Sequence, residues 1–133
     1  MARVTQVLLD THVFLWVIQK PRKLSLKAKW SLEDTNTRVF VSSITPWEIG
    51  MKFLKGKLPE AAQILPSFNQ HLERMQTQHL PFTNEHALEA SAFAMPHDDP
   101  FDRALVAQAR SEGLTLVSRD EMFEQIAGLK LLW

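Results

Sequence analysis

The chain has 133 residues, 45% hydrophobic and 23% charged, the size and composition of one globular domain and too short for two ordinary cores. Lys plus Arg equals Asp plus Glu at 15 each, so no overall field draws in nucleic acid or an anionic membrane, and a polyanionic partner has to be held locally. The absence of cysteine excludes disulfides, thiolate catalysis and cysteine zinc sites and fits a reducing cytoplasm. The opening Met1-Ala-Arg-Val-Thr-Gln lacks the apolar run of a signal peptide, and no stretch reaches the roughly 18 apolar residues of a membrane span. One soluble, cytoplasmic domain over residues 1–133 is expected.

Val7-Leu8-Leu9 is a short apolar run that stops at Asp10-Thr11 and leads into the apolar stretch His12 to Ile18. A buried parallel strand feeding a helix has this pattern, with Asp10 at the strand's C-terminal end. Pro21 marks a break, and Ser25 caps a second, shorter helix with Leu26 and Trp30 on one face. Arg38-Val-Phe-Val-Ser42 is rich in strand formers. Thr45-Pro46-Trp47-Glu48 has the form of a capping box, with threonine as N-cap, proline first and glutamate third, and opens a helix that runs to Gly56. Lys52, Lys55 and Lys57 gather near its C-terminal end, where cations suit the dipole, and read as a solvated face.

Residues 60–78 read as helix from the spacing of Ile64, Leu65, Phe68, Leu72 and Met75, with a kink or early break at Pro66. His79-Leu-Pro-Phe82 suits an edge strand, where proline is tolerated. Thr83 caps a helix to about Ala94, with Ala87, Leu88, Ala90 and Ala94 inward, and Met95-Pro96 ends it. His97-Asp-Asp-Pro-Phe-Asp-Arg103 then places three carboxylates and an arginine directly before the apolar run Ala104 to Ala109. Locally this is a helix start, with Asp99 as N-cap, Pro100 at the first position and Asp102 in the first turn, where the dipole favours an acid. Gly113 is its C-cap. Leu114 to Ser118 is a further apolar strand ended by Arg119-Asp120, Asp120 to Ile126 a short helix with Met122, Phe123 and Ile126 inward, and Leu129 to Trp133 a terminal strand or tail. Strands alternating with helices imply βαβ units and parallel pairing, hence a three-layer α/β/α sandwich with a central parallel sheet.

In such a sheet the ligand site lies beyond the C-terminal strand ends. Asp10 ends one strand, Asp120 follows another by two residues, and Glu48 and Asp102 open helices whose N-termini face that edge. Singly, each acid has an ordinary structural explanation as a cap, turn or first-turn residue. Together they would repel by about 2 to 4 kcal/mol per close pair at a surface-like dielectric. That repulsion is relieved by protonating some carboxyls or by binding a cation. Oxygen ligands without cysteine, and without histidine at zinc spacing, favour Mg²⁺ or Mn²⁺, which would activate water for phosphodiester hydrolysis. His97 reads as a surface or capping residue beside this site, His12 as a core-edge residue, and Trp16, Trp47 and Phe14 as core, with an exposed tryptophan able to stack on a base. Arg103 reads equally as a partner of the acids, a phosphate contact or a member of an ordinary ion pair.

Leu8-Leu9-Asp10-Thr11-His12, Trp47-Glu48-Ile49, His97 to Arg103, and Leu116-Val117-Ser118-Arg119-Asp120 with Phe123 resemble the successive motifs of the PIN domain, most closely in the VapC-like toxins of type II bacterial toxin-antitoxin pairs. The resemblance spans positions 7 to 123 in order, and Asp-Pro-Phe-Asp-Arg is its most specific part. It implies a Mg²⁺- or Mn²⁺-dependent endoribonuclease that acts on RNA, commonly forms a homodimer and is held inactive by a cognate antitoxin. The family's four acids fall on Asp10, Glu48, Asp102 and Asp120, and hydroxyls near the metal on Thr11 and Ser118. Asp99 matches a position of this subgroup and, like Arg103, is given a supporting role. Arg119 is at a position where family members vary. No acidic position is missing, which disfavours the alternative of a PIN-like module that binds RNA or protein without cutting.

Other classes fit less well. Haloacid-dehalogenase-like phosphatases also begin with a strand ending in Asp but carry a second acid two residues on, where this chain has His12. A phosphoacceptor receiver would need paired acids at the first strand and a lysine entering the last loop. Neither a G-x-G-x-x-G nor a Walker loop is present.

Overall fold

The computed structural model describes residues 5–95 and 99–133. Five parallel strands, β1 (Thr5–Leu9), β2 (Thr37–Ser42), β3 (Gln78–Leu80), β4 (Thr115–Val117) and β5 (Lys130–Leu132), form one sheet in the order β3-β2-β1-β4-β5. β1 is central, with Leu8 beside Phe40 of β2 and Leu116 of β4. Covered on both faces, it reads as a continuous apolar run rather than an alternating one. The chain builds β2 and β3 on one side of β1 and then crosses to β4 on the other. The switch point of the topology is therefore beyond the ends of β1 and β4.

The described residues form six α-helices around the sheet: α1 (Thr11–Gln19), α2 (Leu26–Glu33), α3 (Ile44–Leu54), α4 (Phe68–Arg74), α5 (Asn84–Ala90) and α6 (Pro100–Glu112). Strand residues of opposite parity feed two cores. Val7, Leu9 and Val117 join Val13, Phe14 and Ile49 on one side, while Leu8 and Leu116 join Leu105, Ala109 and Phe123 on the other. Each of these valine, leucine, isoleucine and phenylalanine side chains, fully withdrawn from water, contributes about 1.5–3 kcal/mol. The expected three-layer architecture is the one observed, and β3 is an edge strand with Pro81 just beyond its end.

Several local expectations change. The helix of residues 60–78 is divided into 3₁₀ turns at Pro59–Gln63 and Leu65–Ser67 followed by the short α4, because Pro59 and Pro66 each open a new turn. Its apolar residues still reach the first core. α5 stops at Ala90 rather than Ala94, and Leu88 is 71% exposed while His86 is the buried member. Its N-terminus explains this: Thr83 Oγ1 accepts from the His86 backbone N–H and the His86 ring accepts from the Thr83 N–H, a capping box closed by histidine. On α2 the face shared by Leu26 and Trp30 is exposed, and Ala28 is buried instead.

The capping box expected at Thr45 is not formed. α3 begins two residues earlier than that box would start it, at Ile44, whose N–H is accepted by Ser42 Oγ, so Thr45 is already inside the helix with a buried hydroxyl that finds no partner among the described residues. The helix ends at Leu54 with Gly56 at φ +74°, and backbone bonds from Lys57 to Lys52 and from Gly56 to Phe53 close it in a Schellman motif.

Candidate active site

Asp10 directly follows β1 and caps α1, its Oδ1 accepting from the Thr11 N–H at 2.7 Å. Its own N–H continues the ladder to Val117 O at 3.0 Å, which brings it beside Ser118 at the end of β4. The Ser118 hydroxyl donates to Asp10 Oδ2 at 2.7 Å and accepts from the Asp120 N–H at 3.1 Å. Thr11 Oγ1 donates to Glu48 Oε1 at 2.6 Å, joining the start of α1 to α3. Glu48 Oε2 takes the Lys52 ammonium at 2.6 Å, one turn further along α3. Glu48 therefore serves the site rather than its own helix end, which corrects the capping role expected for it.

Asp99 is the N-cap of α6, its Oδ1 accepting from the N–H groups of Phe101 and Asp102 at 2.9 and 3.2 Å. This holds as read from the sequence. Carboxylate oxygens of Glu48, Asp99 and Asp102 lie within 4.8 Å of one another. Asp120 caps the 3₁₀ turn Glu121–Gln125 through the Met122 N–H at 3.0 Å. All five acids line one cavity of about 610 Å³, together with Glu121, Lys52, Arg119, His12 and Trp16.

The electrostatics show the strain of this gathering. Burial raises Asp10 above the usual carboxylate range, and Glu48 adds to the rise, against the opposing Ser118 hydroxyl, His12 and Thr11 N–H. Asp102 is pushed up to about 8, by burial first and then by Asp99, Asp10 and Glu48, with Lys52 opposing. Burial disfavours the charge on Lys52, but contact with Glu48 and the fields of Asp99 and Asp102 outweigh it and raise the ammonium above its ordinary value. An all-oxygen donor set of close, partly buried carboxylates suits a hard divalent ion such as Mg²⁺ or Mn²⁺.

The expected acids Asp10, Glu48, Asp102 and Asp120 thus face one cavity, with Asp99 drawn into the tightest trio. Thr11 and Ser118 each hold one of the acids. Arg103 points elsewhere: its guanidinium donates to the carbonyls of Ala90 and Phe93 and lies over the Phe93 ring, so it anchors the segment between α5 and α6. His97 lies outside the described residues. His12 is exposed at the cavity rather than at the core edge. Phe14 is core as expected, Trp16 is half-buried at the cavity wall, and Trp47 is 57% exposed against the edge of Phe101. Of the three lysines expected on a solvated face, Lys55 and Lys57 are exposed while Lys52 turns into the cavity, and its i,i+4 spacing from Glu48 is the sequence signal for that contact.

The PIN domain model matches residues 7–129. Ribonuclease VapC22 of Mycobacterium tuberculosis is 29% identical over 120 residues, covering 88% of either chain. Among solved structures, VapBC2 from Rickettsia felis, bound to a DNA fragment from its promoter, aligns with a TM-score of 0.71 at 20% identity, over 96% of this chain and 97% of that one. VapBC-1 from nontypeable Haemophilus influenzae aligns with a TM-score of 0.64 at 18% identity, over 96% of each chain. With the acids gathered beyond the ends of β1 and β4, and the family model spanning nearly the whole sequence, the chain belongs to the PIN domain family.

Proposed function

We propose that the protein is a Mg²⁺- or Mn²⁺-dependent endoribonuclease acting as the toxin of a toxin-antitoxin pair. The observation that carries this reading is the convergence of Glu48, Asp99 and Asp102 within 4.8 Å, with Asp10 close enough to raise Asp102 further. Asp10, Glu48, Asp102 and Asp120 are the proposed ligands and Asp99 a neighbouring support. The ion, when bound, would activate water and offset charge developing on the scissile phosphate.

The chain's own groups prepare that chemistry. Thr11 and Ser118 each donate to one carboxylate oxygen, which fixes the orientation of Glu48 and Asp10 without neutralising their charge. Asp102 holds a proton near neutrality and releases it where positive charge arrives. Arg119, exposed at the cavity and stationed over the Trp16 ring, offers a cation to the RNA backbone that the neutral chain as a whole does not.

Support for RNA as substrate comes from the name of the ribonuclease relative, and support for an antitoxin partner from the VapBC complexes. Exposed Trp47, Met51 and Leu54 form an apolar stripe along α3 at i, i+4 and i+7, a surface suited to cover by a protein partner, the antitoxin or a second subunit of a homodimer. Purified protein is expected to cleave a structured RNA with Mg²⁺ or Mn²⁺ and to stop in EDTA. Asp10→Asn and Asp102→Asn should each lower cleavage at least a hundredfold with an unchanged circular dichroism spectrum. Undiminished cleavage in EDTA, or full activity in both variants, would overturn the assignment. Growth arrest on induction, relieved by co-expression of a cognate antitoxin, tests the toxin role.

A further inference from the structure

Lys52 is a cation in direct contact with the carboxylate trio, through Glu48. It projects from α3 into the acidic cavity instead of into solvent, with its side chain 26% exposed and Nζ 2.6 Å from Glu48 Oε2. Lys55 and Lys57, a few residues on, are exposed. Both oxygens of Glu48 are thus engaged within the chain, Oε1 by the neutral Thr11 hydroxyl and Oε2 by a full positive charge.

These two partners differ in what they do to an incoming cation. A hydroxyl orients the carboxylate and leaves its charge intact. An ammonium in contact neutralises much of that charge and repels a second cation a few ångströms away, strongly so where water is partly excluded. Glu48 belongs to the trio with Asp99 and Asp102, and the same two aspartates also act electrostatically on Lys52. One ammonium therefore shares the negative field that a divalent ion would need.

We propose that Lys52 is a built-in counter-cation that holds the acidic cluster together and competes with the divalent ion for Glu48, so that it sets how tightly the ion binds. This rests on the metal reading given above. It makes Lys52 a positioning residue with two opposed effects: removing its charge weakens the protein without metal, because buried Glu48 loses its partner, and strengthens metal binding, because a competitor is gone. A purely packing role would produce only the first effect.

The test is Mn²⁺ binding to the full chain, followed by electron paramagnetic resonance of free Mn²⁺ and by calorimetry, for wild type, Lys52→Met and Lys52→Arg. Thermal melts in EDTA accompany each titration. Lys52→Met should bind Mn²⁺ at least tenfold more tightly than wild type and melt lower in EDTA, while Lys52→Arg, which keeps the charge, should stay near wild type in both. Binding by Lys52→Met alone, with none by wild type, would support the competition in its strongest form. If wild type binds Mn²⁺ and Lys52→Met binds it equally or more weakly, the competition is refuted while the metal reading stands. If no variant binds Mn²⁺, both are overturned.

Discussion

Asp102 concentrates the physics of the site in one residue. Its carboxyl is pushed up to about 8 by burial and by three neighbouring acids, whereas in an unfolded chain it would titrate near the ordinary 3.8. Between those values the folded form binds more protons than the unfolded one. Stability without metal therefore falls as pH rises from about 4 to about 8, since its slope with pH follows the excess of protons bound in the unfolded state. Asp102→Asn, which cannot ionise, should flatten that decline and melt higher than wild type at pH 8 in EDTA. Melting curves from pH 4.5 to 8.5 check it, and an unaltered slope would mean that Asp102 is not the group responsible. Glu48 teaches a related lesson in reading residues one at a time. Its position after Thr45-Pro46 has an adequate local explanation, yet its oxygens are held by Thr11, from another helix, and by Lys52.

At the scale of elements, α6 is the helix whose ends were most legible. Asp99, Pro100 and Gly113 bound it as their chemistry dictates, Gly113 adopting φ +67° in the left-handed region. Asp99 does double duty, as cap and as part of the acidic trio. Asp99→Ala should cost about 1 kcal/mol of stability through the lost cap. Asp99→Ser keeps a cap without the charge, so it should retain most of the stability. Both should weaken Mn²⁺ binding if the carboxylate matters to the ion, and equal Mn²⁺ affinity in Asp99→Ser would confine Asp99 to capping. Among the helices that departed from expectation, α5 is the one whose buried face depends on long-range partners. α5 closes its cap with His86, whose ring also reaches Glu112 at 2.9 Å and Gln108 at 3.4 Å on α6, so its buried face is polar rather than the alanine face its composition indicated.

For the whole molecule, a formal net charge of zero means that RNA, on the proposed function, would have to be held by a few local cations. Lys52 and Arg119 are the ones at the cavity among the described residues, and Lys52 is already committed to Glu48. With each neutralised phosphate contributing about −0.7 to the salt slope for single strands, log affinity against log salt should have a slope on the order of −1 to −2. Binding of RNA to the cleavage-deficient Asp102→Asn variant over 50 to 300 mM salt measures it. A slope steeper than about −5 would require a wider basic surface than these residues provide.

The sequence by itself determined the alternation of strands and helices, the buried apolar strand before Asp10, the cap of α6 and the acids at strand ends and helix starts along one sheet edge, because each is set by local periodicity, backbone chemistry or a short motif. Only the tertiary structure decided what those groups touch. The register of β1 against β4 brings Ser118 to Asp10, although 108 residues separate them. The packing of α3 against the start of α1 turns Glu48 from an expected helix cap into a buried acid and draws Lys52 in after it. Arg103, which sequence left between three roles, is committed to backbone carbonyls by the way the chain returns from α5. Hydrogen bonds and repulsions between residues distant in sequence depend on distances that periodicity does not encode, and at this sheet edge those distances make the site.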